Sequence, residues 1–139
     1  MALGFTLYFL VMLTLDLSHN YYFRIFNGLI HIGFITMAIK QYKKRFPDDF
    51  NYLSGVGIGI TASLIGIVPF SLFLLIFLAS SPEFMHALVE NVELVGQYLT
   101  PFTASLIVLL EGVGISFIAS YIIMRIVDSY EIRDLGVEE

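Results

Sequence analysis

The sequence of 139 residues contains no cysteine and few charged residues. Without a thiol, disulfide bonds, thiolate metal sites and thiol redox chemistry are all excluded. Charged residues make up 14% of the chain, whereas a soluble domain carries about a quarter. The seven Lys and Arg against twelve Asp and Glu leave a net charge of −5, which disfavours nucleic acid as a partner.

Catalytic and cofactor motifs are lacking as well. The glycines of "SGVGIGI" at 55, 57 and 59 do not have the G-x-G-x-x-G spacing of a dinucleotide-binding turn, and an apolar run follows them. We find no nucleophile–base arrangement and no complete set of metal ligands. The sequence therefore predicts no enzyme activity, no cofactor and no metal.

What the sequence does contain is long apolar runs, since 58% of its residues are hydrophobic. Runs of about 18 or more residues with few charges are typical of transmembrane helices. They predict an all-α, polytopic membrane protein with four transmembrane helices, at 1–17, 21–39, 53–78 and 99–127. A loop at 40–52 and a tail at 128–139 leave no room for a second domain, so we expect one integral membrane domain over 1–139. The first run is read as a retained helix, and a start site further upstream is one possibility.

The segment "SPEFMHALVENVELVGQY" between the third and fourth runs has a helical pattern of its own. Ser81 as N-cap, Pro82 at the first helical position and Glu83 in the first turn favour a helix start. Polar residues at 83, 86, 90, 93 and 97 form one stripe, and apolar residues at 84, 88, 92 and 95 form another. We predict a short amphipathic helix over 81–97 on the outer membrane surface. Glu83, His86 and Glu90 match one arm of a carboxylate metal site, but the second arm is lacking, which favours a solvated face.

Basic residues set the orientation of the predicted helices. Lys40, Lys43, Lys44 and Arg45 lie between the second and third helices, and Arg125 and Arg133 lie at and beyond the end of the fourth. Four crossings place all six on one side, which the positive-inside rule assigns to the cytoplasm. Both termini are then cytoplasmic. We expect the cluster at 40–45 to contact anionic lipid headgroups.

Small residues recur every four positions on the last two helices. They are Gly55, Gly59 and Ser63 on the third helix and Gly112, Ser116 and Ser120 on the fourth. Such ridges allow close approach of helix backbones. We expect these two helices to pack through them, with homodimerisation through one ridge as the alternative.

A polar group interrupts the fourth helix at Glu111, and Arg24, Asn27 and His31 form a polar stripe on the second. His31 is ten residues past Tyr21 and Glu111 is ten past Pro101, so each is expected about 15 Å below the outer boundary. A charged side chain at this depth costs at least about 2.5–3.5 kcal/mol. We therefore predict that Glu111 faces the bundle interior and pairs with His31, with Arg24 and Asn27 in support.

The chain also resembles a known family. The basic stretch "IKQYKKRF" leading into "FNYLSGVGIGI", then "SPEF" and the final "GISFIASYIIMR", are similar to the bacterial membrane proteins grouped as domain of unknown function 4199, over roughly residues 28–126. The resemblance implies a four-helix protein of the bacterial inner (plasma) membrane, and it implies no activity. At its front the chain departs from the family pattern, because it begins within its first apolar run.

Two functions are compatible with these features. The first is a non-catalytic membrane subunit that self-associates or joins a larger membrane complex, with membrane lipids as its other partners. The alternative is a small proton-coupled transporter that uses the Glu111–His31 pair. The sequence favours the first function, because a single intramembrane ionisable pair is weak evidence for a proton-coupled transporter.

Overall fold

A computed structural model describes residues 1–15, 24–91 and 96–134, and these residues are almost entirely helical. The elements in chain order are α1 (Ala2–Thr14), α2 (Arg24–Arg45), α3 (Tyr52–Ser80), α4 (Pro82–Asn91), a 3-10 turn (Gly96–Tyr98) and α5 (Pro101–Asp134). The all-α class is therefore confirmed. The ends of two predicted segments, at residues 16, 17 and 21–23, and residues 92–95 and 135–139 lie outside the described residues, as does the side chain of Arg24.

The helix from 24 to 45 continues through the basic cluster that the sequence assigned to a loop. Lys, Gln and Arg are good helix formers, and positive charges in the last turn interact favourably with the helix dipole. The helix ends at Arg45 because Pro47 disfavours helical geometry at Phe46. The connection to α3 is therefore only residues 46–51, less than half of the predicted loop 40–52.

Capping fixes where α3 begins, one residue earlier than predicted. The Asn51 side chain accepts a hydrogen bond of 2.9 Å from the Ser54 backbone N–H, and the Ser54 hydroxyl accepts one of 2.9 Å from the Asn51 N–H. This reciprocal pair is a capping box. Thr100 and Thr103 make the same exchange at the start of α5. That helix continues to Asp134, into the predicted tail.

The helices α3 and α5 pack antiparallel with a constant register. Pairs every four residues along α3 meet partners every four residues back along α5: Gly55 with Met124, Gly59 with Ser120, Ser63 with Ser116, and Ile67 with Gly112. A small residue stands on at least one side of each pair, so the backbones approach closely. This interface forms the centre of the fold.

The helix directions alternate through the bundle. His31 of α2 meets Ser63, and Ile35, one turn later, lies beside Gly59, so α2 is antiparallel to α3. The α1 ring of Phe5 lies 5.4 Å from the ring of Phe70. Since Phe9 then contacts rings further along α3, α1 runs parallel to α3. The helices α1, α2, α3 and α5 therefore alternate up, down, up and down.

The apolar core is divided into three clusters along the bundle. Phe5, Ile67 and Phe70 form the middle cluster, and Leu74, Leu78 and Ala104 form a second beneath α4. The third cluster, near the basic end of α2, consists of Ile35, Ile39, Ala119, Ile123 and Met124. The middle cluster and this third one are separated by a layer of polar side chains.

Two of the described helices are long and apolar enough to cross a membrane, namely Tyr52–Ser80 and residues Pro101–Val127 of α5. At about 1.5 Å per residue, each exceeds a hydrocarbon core of about 30 Å. The described part of α1 has 13 residues and falls short by itself, while α2 carries its basic cluster within the helix. By length and composition the structure thus contains two candidate spans, where the sequence predicts four.

Candidate functional site

The polar layer consists of His31, Ser63 and Ser116, which come from α2, α3 and α5 respectively. The histidine is 2% exposed and both serines are 0% exposed. Buried polar groups are costly unless they are hydrogen-bonded. This layer joins three helices through buried polar side chains, and it is the candidate functional site.

The three side chains form one hydrogen-bonded chain. His31 Nε2 is bonded to Ser63 Oγ, and Ser63 Oγ lies 2.5 Å from Ser116 Oγ. The Ser116 hydroxyl is also 2.6 Å from the backbone carbonyl oxygen of Gly112, one turn earlier in α5. A longer contact of 3.5 Å joins Ser116 Oγ to His31 Nε2. All three helices are thus held at one level.

Because each serine has a single hydroxyl proton, this chain has two consistent proton arrangements. In one, His31 Nε2–H donates to Ser63, Ser63 donates to Ser116, and Ser116 donates to the Gly112 carbonyl. In the other, Ser116 donates to Ser63, and Ser63 donates to an unprotonated Nε2. Exchange between them in the neutral state requires the imidazole proton to move between Nε2 and Nδ1. The chemistry available to this cluster is therefore proton sharing along a short line.

The surroundings of the polar layer are apolar. The Phe5 ring meets the imidazole edge-on, with 5.6 Å between ring centroids and an angle of 86°. Both serines are fully buried, so a substrate would have to separate the helices to reach them. The sequence contains no recognisable nucleophile–base arrangement, and nothing in it predicts the contact of Ser63 with His31. Their separation of 32 residues leaves no local signal for it.

All six predicted packing residues are buried between α3 and α5 or beside α2. A Cβ atom added at Gly59 would lie 2.9 Å from Ser120 Cβ, and one added at Gly112 would lie 2.7 Å from Ile67 Cδ1. The backbones are thus too close for a larger residue at either position. Both ridges are thus used in packing within one chain.

Two further polar atoms are buried near the cluster. Within the described part of the chain, Oδ1 of Asn27 and Oγ of Ser120 have no hydrogen-bond partner. Asn27 lies one turn before His31, so the predicted polar stripe of α2 reaches towards the site. Arg24 belongs to the same stripe, and its side chain lies outside the described residues.

Within a single chain, Glu111 does not face the bundle interior as we expected, because its side chain is exposed. Ser116, which contacts His31, comes five residues later. Five residues correspond to about 7.5 Å along the axis and about 140° around it. Neither hydrogen bond of His31 described above involves Glu111, so the pair of these two residues stays a prediction.

The four basic residues predicted to contact lipid headgroups have different surroundings. Lys43 Nζ lies 5.3 Å from the centre of the Phe50 ring, and the Arg45 guanidinium lies 5.9 Å from that of Phe46. Lys40 and Lys44 are exposed on another face of α2. The cluster is therefore divided between residues that cover aromatic rings and residues that face outward.

The amphipathic helix α4 presents its polar stripe to the exterior. His86 Nδ1 lies 3.4 Å from Glu90 Oε1, and the two side chains are 77% and 68% exposed. On the opposite side Phe84, Met85 and Leu88 pack against the cluster formed by Leu74, Leu78 and Ala104. Among the described residues no group of three or more His, Cys, Asp or Glu side chains is arranged to hold a metal ion.

Comparison with known proteins places the chain beside a family of proteins. The model of a family described as protein of unknown function (DUF4199) matches residues 1–96, which include the polar residues of α2 and α3 at the site but not those of α5. No curated protein and no solved structure matches the chain. The family match begins at residue 1, whereas the resemblance noted in the sequence begins near residue 28. Because the match spans more than half of the 139 residues, the chain belongs to this family, DUF4199.

Proposed function

We propose that this protein is an integral membrane subunit without catalytic activity, whose four helices α1, α2, α3 and α5 cross the bacterial inner membrane. The alternating helix directions support four crossings. Large apolar side chains are exposed around the bundle, for example Leu3 (86%), Ile25 (69%), Ile65 (70%) and Ile118 (64%). Exposed apolar surface of this extent marks contact with lipid or protein.

The observation that carries the subunit proposal is the outward face of α5 within the apolar span 101–127, on which Glu111 and Gly114 are both exposed. A charged group at the centre of a membrane helix costs at least about 2.5–3.5 kcal/mol on insertion scales. Gly114 lies one turn later on the same face, exposed and with open space before it. A second protein surface can approach the helix closely at this small residue. We therefore assign self-association to this face of α5, with a different membrane protein as the other possible occupant.

Single-cysteine cross-linking tests this assignment directly, because the chain has no cysteine of its own. Gly114→Cys places a thiol on the proposed face, where a Cβ atom meets nothing within 4 Å. Ile65→Cys is the matched control, since this residue is 70% exposed on the outward side of α3. The Ser63–Ser116 and Ile67–Gly112 pairs put it at the same depth as Gly114.

In native membranes under mild oxidation, we expect a disulfide-linked dimer from the Gly114→Cys variant and little from Ile65→Cys. Equal cross-linking of both variants would show random collision and overturn the assignment. If the Gly114→Cys variant instead cross-links to a different membrane protein, the result supports a subunit that joins a larger membrane complex. If the chain cross-links to nothing and purifies as a monomer in mild detergent, both self-association and association with another membrane protein are overturned.

The hydrogen-bonded chain of His31, Ser63 and Ser116 favours a second candidate, a small proton-coupled transporter. A line of hydroxyls ending on an imidazole has the chemistry needed to pass a proton, and Glu111 is the predicted carboxyl partner. In proteoliposomes, Glu111→Gln should then abolish a pH-dependent flux and leave the helical circular dichroism signal unchanged. Glu90→Gln, which removes an exposed carboxylate from α4, serves as the control. If Glu111→Gln changes only stability, this candidate is excluded.

A further inference from the structure

A shallow groove runs along the outward side of α2 over its last three turns. It is lined by Gly33, Thr36, Met37, Lys40, Gln41 and Lys44. These positions follow steps of three and four and therefore lie on one face of the helix. From the first to the last, the groove is about 16 Å long by helical rise. One half is apolar and small, and the other half is basic and polar.

We infer that this groove is a binding site for one anionic phospholipid, with the phosphate held by Lys40, Lys44 and Gln41 and an acyl chain lying over Gly33 and Met37. The two lysines are one turn apart, about 6 Å along the axis. Their ammonium groups and the Gln41 amide supply donors to a phosphate diester. The inference rests on the proposed membrane insertion, which places the basic end of α2 at the cytoplasmic headgroup level.

The two halves of the basic cluster differ in availability. Lys43 and Arg45 lie over aromatic rings, whereas Lys40 and Lys44 line the groove. Among the described residues, no salt bridge or ring contact involves either groove lysine. The positive charge of the groove is thus open to an anionic ligand, and the apolar half selects one that carries a hydrocarbon chain.

Gly33 gives the groove its apolar end. A Cβ atom added there meets nothing within 4 Å, so a larger side chain is compatible with the fold but occupies the space of the acyl chain. Gly28 is equally open and does not line the groove. The pair of glycines therefore separates filling of the groove from a general effect of substitution on α2.

The test is a titration of delipidated protein in nonionic detergent with dioleoylphosphatidylglycerol, followed by native mass spectrometry. We expect saturable binding of one lipid per chain, no comparable binding of dioleoylphosphatidylcholine, and no displacement by glycerol phosphate. The double variant Lys40→Gln/Lys44→Gln is compared with Lys43→Gln/Arg45→Gln, which also removes two positive charges but leaves the groove lysines in place. Diffuse attraction predicts equal losses, whereas direct hydrogen bonds to phosphate predict a loss at least about tenfold larger for the groove pair.

Gly33→Leu should also lower the affinity, with Gly28→Leu near wild type. Equal losses from the two charge pairs, unchanged binding by Gly33→Leu, or absence of saturable binding would each overturn the lipid site. Binding of glycerol phosphate as tight as that of the lipid would reduce it to a simple anion site and overturn it as well. Failure of membrane insertion is a separate result, because the wild-type chain would then remain in solution after detergent removal. Circular dichroism of every variant excludes loss of the fold as the cause.

Discussion

Replacement of Gly59 by alanine tests the close approach of α3 and α5 most directly. The added Cβ atom would lie 2.9 Å from Ser120 Cβ and 3.1 Å from Ile35 Cγ2, whereas carbon atoms in good contact are about 3.5–4.0 Å apart. Ser120 Cβ is attached to the α5 backbone and cannot rotate away. The helices must therefore separate locally. Gly57, half a turn away on the same helix, meets nothing within 4 Å and provides the control.

The expected magnitude follows from two opposing effects. Overpacking costs about 1–3 kcal/mol, and alanine is about 1 kcal/mol more favourable than glycine in a helix. Gly59→Ala should therefore change the free energy of unfolding by about 0–2 kcal/mol in the destabilising direction, and Gly57→Ala by about 1 kcal/mol in the stabilising direction. Because the helix-propensity term is common to both, their difference isolates the packing cost of about 1–3 kcal/mol.

The measurement is reversible unfolding of both variants in mixed micelles, followed by far-ultraviolet circular dichroism. Gly59→Ala should unfold at a lower denaturant fraction than wild type, and Gly57→Ala at the same or a higher one. If Gly59→Ala is as stable as Gly57→Ala, the α3 and α5 backbones are further apart at Gly59 than in the structure. The close packing of these two helices is then refuted.

Two further predictions concern buried hydroxyl groups. Ser63→Ala removes the bonded partner of His31 Nε2 and should destabilise the fold by about 1–3 kcal/mol, whereas Ser120→Ala should be neutral or stabilising because its Oγ has no partner among the described residues. The same unfolding assay checks both, and equal effects would contradict the hydrogen-bonded cluster. Ser71→Ala removes a hydrogen bond of 2.9 Å to the Ser105 carbonyl and should cost about 0.6 kcal/mol, at most about 1.7. A larger loss of stability would contradict the view that this hydrogen bond is an ordinary contact between α3 and α5.

The helical class was predictable from local pattern, because apolar runs and small-residue spacing depend only on neighbours in the chain. The four-residue repeats of Gly55, Gly59 and Ser63 and of Gly112, Ser116 and Ser120 identified the residues that the structure buries. Helix ends were less predictable. The sequence predicts a loop for the basic cluster because charge marks a membrane boundary, but α2 continues through the cluster until Pro47 prevents further helical turns.

The partner of His31 could not be read from the sequence. Depth counted from Tyr21 and Pro101 assumes that α2 and α5 begin at one level, whereas the hydrogen bonds place His31 level with Ser63 and Ser116. The offset is about one and a half helical turns. It arises from the fit of α2 against α3, where Ile35 packs beside Gly59.

The sequence by itself determined that this chain forms long apolar helices with a basic end on α2 and small residues where helices meet, because composition and periodicity are local properties. The tertiary structure alone decided which polar groups are enclosed. Ser63, Ser116 and His31 are brought together by the register of three helices, while Glu111 is turned outward by its position about 140° around α5 from Ser116. Register depends on side-chain volumes that meet only after packing, so it is a property of pairs of helices that no single helix contains.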